Sequence, residues 1–124
     1  MDNHLIDIAT QILTRQSSVQ AYQTNIDTFT LILDQSPQGP VPPEVEPYMG
    51  MRAGELPVEM DESLVETVFA YQHRNDMIRR IRAEKQQKTI EQSVIEALTA
   101  RIPADLYDQA MQEATARQGP VGQA

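Results

Sequence analysis

The chain of 124 residues has no cysteine and no tryptophan, and only five glycines and six phenylalanines and tyrosines together. Without cysteine there is no disulfide framework, no thiolate metal site and no cysteine nucleophile, and thiol usage says nothing about compartment. The glycines are scattered through the middle and the end of the chain, so no glycine-rich phosphate loop exists. Ser17, Ser18, Ser36, Ser63 and Ser93 stand in no nucleophile-elbow context. No apolar run is long enough to span a bilayer, and the opening Met-Asp-Asn-His lacks the basic and apolar parts of a secretory leader. We therefore expect no membrane partner, and a protein that is cytoplasmic or assembled into a particle from the cytoplasm.

The net charge of −8 argues against general nucleic-acid binding, because phosphate contacts need a basic surface. What the chain does have is Ile, Val, Leu and Ala at helical spacing, which predicts an all-α fold within a single domain, 1–118, followed by a flexible tail, 119–124.

The strongest pattern comes first. Leu5, Ile8, Ile12, Arg15, Val19, Tyr22, Ile26, Phe29 and Leu33 form an a/d heptad over about four repeats, interrupted only by Arg15. Asp2 or Asn3 can cap the helix, and Ser36-Pro37 must end it, which predicts a helix over 2–34. Ser17, Ser18, Thr24, Thr28 and Thr30 lower its intrinsic propensity, so packing has to stabilise it.

Residues 36–60 hold six of the eight prolines, yet also Val41, Val45, Tyr48, Met49, Met51 and Leu56. That apolar content predicts a docked, largely extended strap with turns at Gly50 and Gly54 rather than a mobile linker. A helical block follows over 61–102, opened by a capping-box spacing at Ser63-Leu-Val-Glu66. Its apolar pattern lapses between Arg82 and Thr89, where the block either continues unbroken or restarts at a second capping box, Thr89 to Gln92. Continuity is favoured, because neither Gly nor Pro marks a break. Two apolar blocks, Leu64 to Ile81 and Ile90 to Ile102, can cover opposite ends of the first helix. The polar middle or Asn75-Asp76 then faces Arg15, with Asp76 the candidate partner. Pro103 suits the first turn of a last helix over 103–117.

Charge is segregated. From Asp34 to Glu66 eight acids stand against Arg52, a balance of −7, while from His73 to Lys88 six bases stand against Asp76 and Glu84, a balance of +4. Either these are two solvated surfaces, whose exposed pairs contribute little, or the acidic strap of one chain meets the basic band of its own or a neighbouring chain, which would set register more than affinity.

Two histidines precede an aspartate by three residues, His4 before Asp7 and His73 before Asp76, and Glu62, Glu66, His73 and Asp76 fall loosely on one helical face. Carboxylate-bridged metal sites need Glu-x-x-His pairs and helical zinc sites need His-Glu-x-x-His. Neither motif is present. We expect no catalytic residue, no metal and no cofactor. Ala21-Tyr22-Gln23-Thr24-Asn25-Ile26, with Leu31 to Leu33, resembles the heptad-bearing helix that ends axial flagellar rod and hook proteins. That family places the helix at the C-terminus and pairs it with an N-terminal signature absent here, so the likeness is one of packing style and not of membership.

The expected working residues lie in protein interfaces. They are Leu5, Ile8, Ile12, Arg15, Val19, Tyr22, Ile26 and Phe29 on the seam, Tyr48, Met49 and Met51 on the strap, and Arg74, Arg79 and Arg82 on the band. The expected function is a non-catalytic, oligomeric structural, adaptor or chaperone-like component of a larger assembly, such as a virion or secretion apparatus. The alternative is a small acidic regulator or inhibitor of a nucleic-acid-acting protein.

Overall fold

The computed structural model describes residues 1–118, so the predicted tail 119–124 lies outside the described residues. The fold is all-helical, with no strand among the described residues. Helix α1 spans Asn3–Asp34, α2 spans Glu62–Thr99 and α3 spans Tyr107–Gln118, and the strap carries two short 3-10 helices, Glu46–Tyr48 and Ala53–Glu55. The two long helices, 32 and 38 residues, measure roughly 48 and 57 Å at about 1.5 Å per residue. Within each of the two compact units described below, a stretch of α1 packs against a stretch of α2.

Asp2 caps α1, its Oδ1 accepting from the His4 backbone N–H at 2.9 Å. The helix tolerates its hydroxyl residues because their side chains bond back to the preceding turn. Thr10 donates to the Ile6 carbonyl, Thr14 to Thr10, Thr24 to Gln20 and Thr30 to Ile26, so no hydroxyl in this series competes for a non-helical conformation. Pro37 lies just beyond the last turn, as the sequence requires.

Of three local expectations two are corrected, and the favoured one, an unbroken α2, holds. Helix α2 begins at Glu62, with the Asp61 carbonyl accepting from Val65 N–H at 3.0 Å, so Ser63 already lies within the helix and caps nothing. It then runs unbroken through residues 82–89. Thr89, proposed as a possible cap, instead back-bonds to the Lys85 carbonyl. The last helix does not start at Pro103, because Ala104–Leu106 form a 3-10 turn, closed by Leu106 N–H to the Pro103 carbonyl, before α3 opens at Tyr107. Proline without an N–H is accommodated there at the entrance of the turn.

The chain divides into two compact units: Met1–Thr24 with the chain from Glu84 on, and Asn25–Ala83. The first contains a three-helix core in which Ile6, Ile8, Ala9 and Ile12 of α1 meet Leu98 of α2, Ile102, and Ala110 and Ala114 of α3. Ala9, Ala110 and Ala114 are fully buried, so small side chains let α3 come close to α1. Each isoleucine removed from water here contributes about 1.5–3 kcal/mol. Arg117 of α3 also donates to Asn3 Oδ1 at 2.9 Å.

In the second unit the strap is ordered and docks on α2 of its own chain. Val45 and Val68 are fully buried beside Tyr71, with Val41, Tyr48, Met49, Leu56 and Leu64 around them. Gly39 supplies the left-handed turn that starts the strap, at φ 85°. The expected turn at Gly50 is present, closed by Met51 N–H to the Tyr48 carbonyl at 3.0 Å, and Gly54 lies inside the second 3-10 helix.

Candidate functional site

The heptad side chains do not share one environment. Ile8, Ile12 and Ile26 are buried, Leu5, Val19, Tyr22 and Phe29 are half-buried, and Arg15 is exposed. Ile6 and Ala9, outside the a/d pattern, are as deeply buried as Ile8. The reason is coverage: near its start α1 is flanked by both α2 and α3, and a helix with two neighbours needs an apolar face wider than one seam. The crowding of Leu5, Ile6, Ile8 and Ala9 in the sequence carries that signal.

Arg15 finds a different partner from the one expected. Its Nη1 donates to both carboxylate oxygens of Glu91, at 2.9 and 3.1 Å. Asp76, fifteen residues before Glu91 in the sequence, is itself bonded to Arg79 at 3.3 Å. Close by, Lys88 Nζ donates to Gln23 Oε1. The polar stretch of α2 therefore meets a polar stretch of α1.

At the strap, Tyr48, Met49 and Met51 are half-buried. Their carbonyls converge on Gln72, whose Nε2 donates to Tyr48 O at 3.0 Å, Met51 O at 2.7 Å and, more weakly, Met49 O at 3.4 Å. Gln72 was not among the expected site residues. It continues the helical spacing of Val65 and Val68, and a polar residue at such a position is a sign of a buried hydrogen-bonding task.

The arginines of the basic band split four ways. Arg74 donates from Nη1 to the carbonyls of Pro37 and Gly39 and lies 4.7 Å from the Tyr71 ring centroid, so it holds the start of the strap through backbone oxygens. Arg79 pairs with Asp76, and Arg82 is exposed. Arg80 lies 5.9 Å from the Phe29 ring centroid. Among the described residues no ion pair joins a strap carboxylate to any of these arginines.

Beside the band an open groove of about 490 Å³ is lined by Met49, Met51, Phe69, His73, Asp76 and Arg79, among others. It mixes soft apolar walls with one ion pair. No cluster of three or more His, Asp or Glu side chains able to hold a metal occurs among the described residues. His4 is exposed at the start of α1, and Asp76, three residues after His73, is engaged by Arg79. Among the described residues no helix is long and apolar enough to cross a membrane. No family model matches the chain, and neither a curated protein nor a solved structure matches it.

Proposed function

We propose that this protein is a non-catalytic, oligomeric structural, adaptor or chaperone-like component of a larger protein assembly such as a virion or secretion apparatus, made in and working from the cytoplasm. The observation that carries the reading lies within the first unit. Where α1 has two helical neighbours, Ile6, Ile8, Ala9 and Ile12 are at most 2% exposed, whereas no residue of α1 from 13 to 24 is buried. On α2, Ile90 is 47% exposed. Two helices alone leave part of each other's apolar surface in water, and further helices from a partner would cover it.

The test is solution mass by light scattering, with co-purified proteins identified. A discrete oligomer or a stoichiometric partner supports assembly, and a monomer that retains no partner overturns it.

A second reading is favoured by the strap. Its carboxylates are held on an ordered segment and make no ion pair with the basic band among the described residues, which suits an acidic inhibitor of a nucleic-acid-acting protein. Replacing Glu44, Glu46, Glu55 and Glu59 with lysine would abolish such inhibition and leave helix assembly largely intact.

A further inference from the structure

Six residues of α2, Glu62, Glu66, Phe69, His73, Asp76 and Arg80, follow one another at four- and three-residue steps, and all six are exposed. Such steps keep side chains on one face and are the spacing of a helix-pairing seam. The buried residues Val68, Tyr71 and Ile81 belong to other faces of the same helix, and buried Met77 marks one edge of the stripe, which is a second, outward surface.

The stripe is polarised in charge. Glu62 and Glu66 occupy its beginning and Arg80 its far end, with Arg79 beside it. Glu66 stands seven residues before His73 and Arg80 seven after it. Asp76 interrupts the basic end, but Arg79 already neutralises it. Among the described residues no ion pair engages Glu62, Glu66 or Arg80. A helix face whose charge reverses about its midpoint is complementary to a second copy of itself laid antiparallel.

Shape adds to charge. Phe69 is 39% exposed, a large aromatic on an otherwise polar stripe. It sits four residues before His73, and the groove walled by Met49, Met51, Asp76 and Arg79 extends to the other side of His73. Turned through a two-fold axis at His73, the Phe69 ring of one copy comes over the groove of the other. Methionine walls suit an aromatic ring.

We propose that this face of α2 is an isologous contact with a second copy of the chain, antiparallel, with the two-fold axis at His73. Glu66 then meets the second copy's Arg80, and each Phe69 enters the opposite groove. The proposal rests on the assembly reading above and specifies one of its surfaces.

The absence of cysteine gives a clean test. His73→Cys places a thiol at the axis, and mild oxidation should yield a disulfide-linked dimer much faster than Val58→Cys, a control at a strap residue that is 99% exposed. Phe69→Glu should weaken self-association, measured by sedimentation, by roughly thirty-fold. Glu66→Arg and Arg80→Glu alone should each weaken it roughly ten-fold, while the double exchange restores it, a rescue that a general loss of folding cannot mimic. Unchanged helical circular dichroism in each variant confirms that the chain is folded.

Equal cross-linking at both positions, or a double exchange no better than the single ones, overturns this contact. If the variants remain oligomeric, or if the wild type is a monomer bound to a different protein, the contact falls and the assembly reading stands. A monomer without any partner ends both.

Discussion

Arg15 and Glu91 form the polar interruption of an otherwise apolar seam: one guanidinium nitrogen bonds both carboxylate oxygens, and the Glu91 side chain is only 12% exposed while Arg15 is 45% exposed. The energetics follow from that asymmetry. The arginine loses little hydration, whereas the carboxylate depends on its partner. Arg15→Ala is expected to cost about 1–2 kcal/mol in urea denaturation, and Glu91→Ala less, about 0–1 kcal/mol. Arg15→Leu combined with Glu91→Leu should match or exceed the wild-type stability. Additive losses in the double-alanine variant would show that the pair does not couple.

The strap is held by few side chains, and Gln72 is central among them. Gln72→Leu keeps the volume but leaves the carbonyls of Tyr48, Met49 and Met51 without their donor. A loss of about 1–3 kcal/mol is expected. Hydrogen exchange should locate it, with faster exchange over residues 45–56 and unchanged protection at Ile6 to Ile12. Uniform acceleration across the chain would mean that the strap is integral to global stability.

Two seam positions of similar sequence character should respond differently. Ile12 is fully buried in the three-helix core, so Ile12→Ala is expected to cost about 2–5 kcal/mol. Val19 is half-buried, so Val19→Ala in the isolated chain should cost about 1 kcal/mol or less. In the assembled state the Val19 penalty should grow if a partner covers it. Thermal melts at low and high protein concentration separate the two cases.

Glycine substitutions probe the strap backbone. Gly39 has φ 85° and open space where a Cβ would stand, so Gly39→Ala meets no clash yet pays a left-handed penalty of about 1–2 kcal/mol. Gly50 and Gly54 also face open space but have no such φ, and alanine there should be neutral or stabilising by about 0.4–1 kcal/mol. Equal effects at all three would contradict the turn geometry. Melting temperatures suffice for the comparison.

Sequence alone determined the helices, because their signals are local. The heptad from Leu5 to Leu33, the stop at Ser36-Pro37, the absence of a breaker between Arg82 and Thr89, and the apolar residues among the strap prolines each act within a few residues of the structure they specify. The all-α class and the docked strap followed from them. The errors were local too: Ser63 satisfies a capping-box spacing, yet the helix opens two residues earlier than that cap requires, at Glu62.

Only the tertiary structure decided the partners. Arg15 lies 76 residues from Glu91, and Gln72 lies 21 to 24 residues from the carbonyls it holds. Such pairings depend on how two long helices are aligned and on where a proline-rich segment comes to rest. A heptad repeats, so one residue's spacing is compatible with several alignments, and packing selects among them. The same reason explains Ile6 and Ala9, which are buried because α3 folds back over the start of α1. Their crowding in the sequence asks for a wide apolar face, but it does not say which helix will cover it.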